Sequence, residues 1–452
     1  MRHVTSVLTA LYQARLHGVL RLLQLNILVA AANFMTAILL ARALGAEGRG
    51  QVAILAMWVG ITAYVALGGA HLFLARKAGS EPDAASAIYA RVIGIVGMTC
   101  VPSFAVFAAV ALTVTRLTTP GIAPIAWIIA AATVPLGVWN AMQMQIELGR
   151  GRLGTYVATQ IIFVAGQVGL VGLLWIAGRH QPFEYVLATL TASASACFIT
   201  HWSIRRGLCT ANDRMPLPSP PRIMLAARKD ALAVWLVLLA GLADRLVVSL
   251  TFPARIFGVY VVVLALAHLQ NLAVEAMAPL FFARSARDHG AGTAEYDQLA
   301  ERLRQTIVVN AAAAVALLVT APVVLPLVFG PEYADGLGLV YFMVPAAAMK
   351  AMMRPYEEVL RGTDCAMQQS AASVAMVVVF ALGAVLAVHF AWLEGVALSL
   401  LAASLTGLVL VVRAVSIKTG LAAVTLFLPQ AHDVTALLAE CRLHARKIAY
   451  GR

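Results

Sequence analysis

The chain has 452 residues, of which 61% are hydrophobic and 12% charged; its formal net charge is +12 and its mean hydropathy is +0.85. Water-soluble domains carry charge on about a quarter of their residues, so this composition excludes a soluble globular protein and indicates a protein of the lipid bilayer. Backbone polar groups in lipid need internal partners, which leaves helix bundles and closed barrels. The apolar runs are long and unbroken, as at 371–387. The sequence therefore predicts an all-α polytopic membrane protein.

About 20 mostly apolar residues are needed to cross a bilayer as a helix. Twelve segments of the chain meet this rule, and we predict spans at 20–41, 51–75, 90–115, 121–146, 154–178, 183–204, 231–252, 256–282, 305–329, 336–360, 368–390 and 393–415.

The remaining segments organise these spans into two halves. Residues 1–19 form an amphipathic segment that we expect to lie in the membrane interface. The Pro-rich linker 205–230 separates an N-lobe, 20–204, from a C-lobe, 231–415, with six spans each. Residues 416–452 are predicted to be an amphipathic tail on the cytoplasmic leaflet, with a disordered tail as the alternative.

Basic residues lie unevenly on the two sides of this topology. One side has only Arg42, Arg49, Arg116, Arg179 and Arg255, and three more, Arg245, Lys350 and Arg354, lie within spans. All other Lys and Arg residues fall on the opposite side, which the positive-inside rule makes cytoplasmic. The chain is thus predicted to be a multi-pass protein of the bacterial inner membrane with both termini in the cytoplasm. Its positive charge follows from topology and requires no nucleic-acid partner.

Signals for metal, cofactor or enzyme chemistry are missing from the sequence. The five cysteines form neither a CxxC pair nor a Cys/His cluster, so we predict no metal site and no disulfide framework. A GxxxxGK[ST] nucleotide loop does not occur, so we expect no cofactor and no direct use of ATP. We also expect no enzyme, because no loop has the size of a catalytic domain.

Five short fragments carry a family resemblance. They are ARALGAEGRG at 41–50, ADRL at 243–246, FGVY at 257–260, APL at 278–280 and VFGPEY at 328–333. In order and spacing they resemble the polysaccharide and O-antigen flippases of the multidrug/oligosaccharidyl-lipid/polysaccharide (MOP) exporter superfamily. The peptidoglycan-precursor branch of that superfamily is similar to fourteen-helix chains, and the two extra spans are not found here.

The resemblance implies a fold and a function. The fold is two six-helix lobes around a central cavity. The function is movement of a polyprenyl-pyrophosphate-linked oligosaccharide across the inner membrane for lipopolysaccharide or exopolysaccharide synthesis. Membrane lipids and the polysaccharide polymerase machinery are the expected partners.

Polar side chains within spans are costly, so each is a candidate functional residue. In the N-terminal half they are mainly amides, which donate and accept hydrogen bonds at once and therefore suit sugar hydroxyls. Asn26 and Asn33 share one helix face, and Asn140, Gln143 and Glu147 share another. We predict glycan contact by the four amides, with ties between membrane helices as the alternative.

Asp244 and Arg245 are adjacent in the seventh span and point about 100° apart. Arg245 is a candidate anchor for the pyrophosphate, and Asp244 is a candidate for ion coupling. The alternative is a structural ion pair between helices.

His268, Asn271 and Glu275 in the eighth span fall on one face of an α-helix. His268 and Asn271 are predicted to bind sugar hydroxyls, and Glu275 to couple transport to an ion. Hydrogen bonds between helices are the alternative.

The tenth span carries Lys350, Arg354 and Glu357 at helical spacing. Two cations on one face suit a pyrophosphate, because phosphate oxygens accept charge-assisted hydrogen bonds. Glu357 is a third candidate for ion coupling. Internal pairing of the cations with Glu357 is the alternative.

Three other functions compete with a flippase. A drug antiporter of the same superfamily would need carboxylates for cationic substrates, whereas the in-span residues here include cations. A membrane polymerase or ligase would present a large outer loop, and each predicted outer connection is short. A non-transporting scaffold of a polysaccharide assembly complex is the third.

Overall fold

The computed structural model describes most of the chain. Outside the described residues lie 1, 82–84, 118–120, 151, 209–217, 273, 275–276, 279–280, 282–284, 286–295, 363–365, 431, 434 and 436–452. The description covers the backbone alone at 2–26, 85, 114–117, 153, 206–208, 233, 361–362, 366–367 and 369.

All regular structure in the described part of the chain is helical. The α-helices are α1 (Arg2–Leu67), α2 (Ala70–Ser80), α3 (Ala85–Leu117), α4 (Pro124–Gly149), α5 (Leu153–Ile176), α6 (Pro182–Leu208), α7 (Pro220–Ala226), α8 (Arg228–Thr251), α9 (Ala254–Ala267), α10 (Tyr296–Val324), α11 (Leu337–Gly362), α12 (Ala366–His389), α13 (Leu393–Thr419) and α14 (Ala423–Phe427). Short 3₁₀ turns at His268–Gln270 and Pro331–Gly336 and a π turn at Leu325–Phe329 complete the set.

Ten helices in the described residues are long and apolar enough to cross a membrane. The first, Ile27–Leu67, has 41 residues, about 60 Å of helix and twice the hydrocarbon thickness of about 30 Å. Gly45 interrupts it with non-helical angles (φ 64°, ψ −177°), which divides it into two span-length pieces. The shorter apolar helix Ala254–Gln270 lies in the predicted eighth span. Each of the twelve predicted spans is thereby matched, and the protein is an all-α polytopic membrane protein.

The side chains that cover the outside of these helices are apolar. Ile176 is 79% exposed, Val101 75% and Leu382 67%. Large apolar surfaces of this kind are stable only against lipid or a partner protein, which agrees with the membrane assignment.

The predicted second and eighth spans are not single continuous α-helices. The helix of the second span ends at Leu67, because Gly68 and Gly69 take positive φ angles of 49° and 75° and start the separate helix α2. In the eighth span, α9 tightens into the 3₁₀ turn His268–Gln270. Short 3₁₀ stretches within a span often mark hinges.

The chain divides into two compact units. Unit 1 comprises Met1–Val262 and Val328–Tyr333, and unit 2 comprises Val263–Leu327 and Ala334–Arg452. In unit 1, α4 packs against α1, α2 and α6, and α5 packs against α1 and α6. In unit 2, α13 packs against α11 and α12. The lobes and linker drawn from the sequence remain a prediction.

A buried ion pair fixes the segment that follows α14 to unit 2. Arg304 of α10 donates to both carboxylate oxygens of Asp433 at 2.7 and 3.1 Å, and to the carbonyl of Thr425 at 2.8 Å. The backbone N–H of Gln430 adds a 2.7 Å bond to Asp433. Asp433 is fully buried and Arg304 nearly so. The start of the predicted tail is therefore part of the packed unit.

Burial disfavours the charged form of Asp433, but the hydrogen bonds from Arg304 and Gln430 outweigh it, and the pKa of Asp433 is lowered. The stabilisation is fully present above the ordinary Asp pKa of 3.8 and is lost as the pH falls through the lowered value. Glu301 and His432 also approach Asp433. Because the Arg304 guanidinium already occupies both Asp433 oxygens and would repel a cation, we assign no metal to this cluster.

We expect Arg304→Ala to lower the stability of unit 2 by about 3–5 kcal/mol, because it leaves a buried carboxylate without its counter-charge. Thermal unfolding of the purified protein measures the effect. Arg413→Ala, at an exposed arginine of α13 in the same unit, should change stability by less than about 0.5 kcal/mol. The double variant Arg304→Met/Asp433→Leu removes both charges and should recover most of the loss. A double variant as unstable as Arg304→Ala would show that an unpaired buried charge is not the cause of the lost stability.

Candidate functional site

A cavity of about 230 Å³ lies between α1, α4, α5 and α6, and all of its lining residues belong to unit 1. Small residues at facing positions leave this space, among them Gly60 on α1 and Gly137 on α4. The full lining consists of Val52, Leu55, Ala56, Val59, Gly60, Ala130, Thr133, Leu136, Gly137, Asn140, Phe163, Val186, Thr189 and Ser193. No residue of this lining can ionise.

Four of the lining residues are polar, and they differ in their hydrogen bonding. Thr133 and Thr189 donate to backbone carbonyls of their own helices, each at 3.1 Å. Asn140 has a buried Oδ1 without a partner. Ser193 is buried in the wall of the cavity. Asn140 and Ser193 are therefore the two polar groups that a ligand in the cavity would engage.

Gln143, predicted to contact glycan, is buried one turn along α4 from Asn140. Its Nε2 lies 3.4 Å from Nδ1 of His201 on α6, and the His201 ring meets Trp139 edge-on at 5.2 Å. Gln143 thus ties α4 to α6, which is the alternative that the sequence left open. Its Oε1 is buried without a partner beside the cavity wall.

Glu147, on the same face of α4, is part of a buried polar cluster. Its Oε1 accepts hydrogen bonds from the hydroxyl of Tyr89 at 2.7 Å and from Nη1 of Arg150 at 2.8 Å. These bonds hold α3 against the end of α4, whereas Oε2 of Glu147 is buried without a partner.

The other two amides predicted to bind glycan in the N-terminal half are at the start of α1. Asn33 is exposed. The side chain of Asn26 lies outside the described residues. Their glycan contact stays a prediction.

Two helices of unit 1 cross with their backbones in contact. Ala46 and Gly50 are four residues apart on α1, and Ala254 and Gly258 are four apart on α9. A Cβ on Gly50 would lie 1.8 Å from the Ala254 carbonyl oxygen, and a Cβ on Gly258 would lie 1.8 Å from the Ala46 carbonyl oxygen. This reciprocal arrangement is the small-xxx-small packing typical of membrane helices. The crossing, made by these four residues, lies at the helix ends predicted to face outward.

The segments 41–50 and 328–333 also contact each other in unit 1. Arg42 Nε donates to the carbonyl of Val328 at 2.8 Å, and the Tyr333 hydroxyl donates to the carbonyl at position 41 at 3.4 Å. Gly45, with its positive φ, leaves room for the Glu332 carboxylate, which a Cβ would approach to 3.1 Å. Three of the fragments that carry the family resemblance therefore meet at the crossing.

A fourth fragment joins them through Asp244 on α8. Asp244 is buried, and the hydroxyl of the fully buried Tyr260 donates to its Oδ2 at 2.7 Å. Arg245 donates instead to the carbonyl of Gly241 on its own helix at 2.7 Å, and its Nε is buried without a partner. Asp244 and Arg245 therefore have different partners. Pyrophosphate binding by Arg245 stays a prediction.

In unit 2, Lys350 and Arg354 lie one turn apart on α11. Arg354 is 47% exposed at its side chain and lies 3.5 Å from Glu357 and 3.9 Å from Glu358. Glu357, a candidate for ion coupling, is therefore a neighbour of Arg354, as the pairing alternative expected. Exposed pairs at such distances are weak, so Arg354 stays available to a stronger anion.

Two amides that were not among the predicted site residues are buried in unit 2. Gln270 Nε2 donates to the carbonyl of Val344 at 2.7 Å, and Asn310 Nδ2 donates to that of Ala348 at 3.0 Å. Both therefore hold α11, and both leave a buried amide oxygen unpartnered. Their position in predicted spans was the signal that could have identified them.

His268 and Asn271 flank Gln270. Side chains three residues apart eclipse each other in a 3₁₀ turn, so His268 and Asn271 share a face. His268 is exposed, whereas Asn271 is half-buried with an unpartnered Oδ1. Glu275 lies outside the described residues. Sugar binding by this face remains a prediction.

No family model matches the chain. No curated protein matches it in sequence. Among solved structures it is similar to the lipid II flippase MurJ in an inward closed conformation, with a TM-score of 0.67 and 13% identity over 87% of this chain and 88% of that one.

The chain is also similar to a multidrug resistance MATE family transporter of the MOP superfamily. The inward-facing form gives a TM-score of 0.62 and 14% identity over 87% of this chain and 96% of that one. The outward-facing form gives 0.60 and 14% over 89% and 96%. Identities this low show the fold alone. The chain has the fold of MOP-superfamily transporters, and these neighbours are transporters.

Proposed function

We propose that the protein is a non-enzymatic flippase that moves a polyprenyl-pyrophosphate-linked oligosaccharide across the bacterial inner membrane for polysaccharide export. The observation that carries this proposal is the fold shared with a lipid II flippase over 87% of the chain. Lipopolysaccharide and exopolysaccharide synthesis are the processes this activity would serve, with the polymerase machinery as the downstream partner.

The charge of the polar groups supports this class of substrate. The cavity of unit 1 has no carboxylate with which to attract a cationic drug. Arg245 on α8 has a buried Nε without a partner, and Lys350 and Arg354 add two cations on α11. Uncharged polar groups suit a glycan, and cations suit a pyrophosphate.

Alternating access supplies the transport cycle. The crossing of Ala46, Gly50, Ala254 and Gly258 leaves no gap at helix ends that the basic residues predict to be outward. We therefore assign to it the closing of the outer side. Release of the head group to the outer leaflet requires the two helices to separate, while the polyprenyl tail stays in lipid.

We assign roles to the remaining candidates on the same basis. Arg245, Lys350 and Arg354 bind the pyrophosphate. The residues assigned to the glycan are Asn26, Asn33, Asn140, Gln143, His268 and Asn271. Ion coupling is assigned to Asp244, Glu275 and Glu357. Asp244 is the best supported of the three, because it is a buried in-span carboxylate that accepts a 2.7 Å hydrogen bond from the neutral hydroxyl of Tyr260.

Asp244→Asn should uncouple transport from its ion gradient. The amide oxygen still accepts the Tyr260 hydrogen bond, but the side chain no longer carries a charge or a proton. We expect exchange down a substrate gradient to persist and acceleration by an imposed Na⁺ or H⁺ gradient to fall by about tenfold or more. Flux into vesicles with and without each gradient measures this. Acceleration equal to that of the wild type would remove Asp244 from the coupling role.

A drug antiporter is the second candidate, favoured by the similarity to the MATE transporter over 96% of that chain. Purified protein in liposomes should be given a fluorescent polyprenyl-pyrophosphate oligosaccharide in one arm and a lipophilic cationic dye in the other. We expect protein-dependent movement of the lipid-linked glycan alone. Movement of the dye alone would replace the flippase with an antiporter, and movement of neither would favour a scaffold.

A further inference from the structure

The size of the unit 1 cavity limits what it can hold. Its volume of about 230 Å³ is below the roughly 300–1,000 Å³ typical of pockets for drug-sized ligands. A single sugar ring is compatible with this space, whereas a chain of several rings is not. If the proposed function holds, the cavity therefore contacts one residue of the glycan.

The chemistry of the cavity walls limits the charge of the sugar that can bind there. No lining side chain ionises. Two of the polar groups, Asn140 and Ser193, can both donate and accept hydrogen bonds, and the two threonines already bond to their own helices. An ionised carboxylate entering such a site loses its hydration without gaining a counter-charge, a cost of several kcal/mol. An uncharged group faces no such penalty.

The unmet polar atoms indicate which contacts a ligand would make. Asn140 Oδ1 is buried without a partner, and buried polar groups in native proteins normally have one. An amide on α4 and a hydroxyl on α6 can together bond a donor and an acceptor of the same ring. Hydroxyl and acetamido groups of a sugar supply both.

The rest of the lining is apolar. Val52, Leu55 and Val59 come from α1, Phe163 from α5 and Val186 from α6. Such walls stabilise C–H faces and methyl groups by removing them from water. A ring with an acetyl or deoxy substituent buries more apolar surface here than a fully hydroxylated one.

We infer that this cavity is a selectivity subsite for one uncharged sugar that carries an apolar substituent, with Asn140 and Ser193 as its hydrogen-bonding residues. This inference rests on the proposed flippase function and adds to it a criterion for the glycan: acidic sugars are excluded at this position.

The test compares leaflet exchange of two synthetic lipids in proteoliposomes. Both are polyprenyl pyrophosphates, one with a single N-acetylhexosamine and the other with a single hexuronic acid. We expect the wild type to move the acetamido sugar about tenfold faster or more, the effect of one or two hydrogen bonds and an avoided buried charge.

Two cavity variants should remove this preference. Ser193→Ala deletes a hydrogen-bonding group and should slow exchange of the acetamido lipid several-fold. Gly60→Leu fills the cavity, and a Cβ at Gly60 meets nothing within 4 Å, so the fold should tolerate the change. In Gly60→Leu the acetamido lipid should move no faster than the uronic acid lipid.

Matched controls are available at exposed positions of α6 and α3. Ser195, two residues along α6, is exposed and bonded to the Thr191 carbonyl at 2.9 Å. Gly97 on α3 also has open space around a Cβ. Ser195→Ala and Gly97→Leu should retain the wild-type preference. Exchange of both lipids at equal rates by the wild type, or an unchanged preference in Gly60→Leu, would overturn the inference and leave the flippase intact. Exchange of neither lipid by folded wild-type protein would overturn both.

Discussion

Gly258→Leu is expected to abolish transport while leaving the protein folded. A Cβ at this position would lie 1.8 Å from the Ala46 carbonyl oxygen, so any side chain forces α9 away from α1. If the crossing closes the outer side, the variant remains open outward and cannot complete a cycle. Leaflet exchange of the lipid-linked glycan should fall by at least about a hundredfold, since one of the two required states is no longer accessible.

Accessibility distinguishes a gate from a purely structural contact. Ala46 is 1% exposed, so Ala46→Cys in a background without other cysteines should resist a membrane-impermeant maleimide. Adding Gly258→Leu should make the same cysteine reactive from the outer side, with a melting temperature near that of the parent. Gly97→Leu, a glycine with open space around it, serves as the control and should change neither. Loss of folding in Gly258→Leu without reactivity at position 46 would mean that the crossing is a fixed structural contact.

Loss of the in-span cations should have the next largest effect. A hydrogen bond from a charged group contributes about 1.5–3 kcal/mol, so Arg245→Ala, Lys350→Ala and Arg354→Ala should each slow exchange by about ten- to a hundredfold if they bind the pyrophosphate. Initial exchange rates in proteoliposomes, normalised to folded protein, provide the measurement.

Two comparisons separate phosphate binding from general charge effects. Arg354→Lys keeps the charge but loses the planar fork that engages two phosphate oxygens, so its rate should lie between those of the wild type and Arg354→Ala. Arg179→Ala is the matched control, because Arg179 is 63% exposed and lies in a predicted outer loop. Wild-type rates in all three alanine variants would eliminate the pyrophosphate site and leave the flippase without assigned anchors.

The spans followed from hydropathy, because about 20 apolar residues in lipid have few alternatives to helix. The same rule missed the early end of the second span. Gly68 and Gly69 lie within an apolar run, and their positive φ angles are a backbone property that hydropathy does not report. The long helix α1, by contrast, is interrupted at Gly45, between the two spans predicted at 20–41 and 51–75.

The polar residues were harder to interpret, because helical spacing identifies a shared face but not what lies opposite. Gln143 and Glu147 share a face with Asn140 as predicted. Only the structure shows that Gln143 meets His201 and that Glu147 meets Tyr89. Asn140 alone of the three lines the cavity.

Ser193 carried no signal in the sequence. Hydroxyl residues in membrane helices usually bond their own backbone, as Thr191 and Ser195 do on the same helix. That Ser193 lines the cavity is visible only in three dimensions. Similarly, the fragments 41–50 and 328–333 were identified by resemblance. Their order along the chain did not predict that they contact each other.

The most direct test of the central claim is leaflet exchange of a fluorescent polyprenyl-pyrophosphate oligosaccharide by wild-type protein and by Gly258→Leu in matched proteoliposomes. An alternating-access flippase predicts exchange that depends on the wild-type protein and is lost in the variant. Absence of exchange by folded wild-type protein, or equal exchange by both proteins, would contradict it.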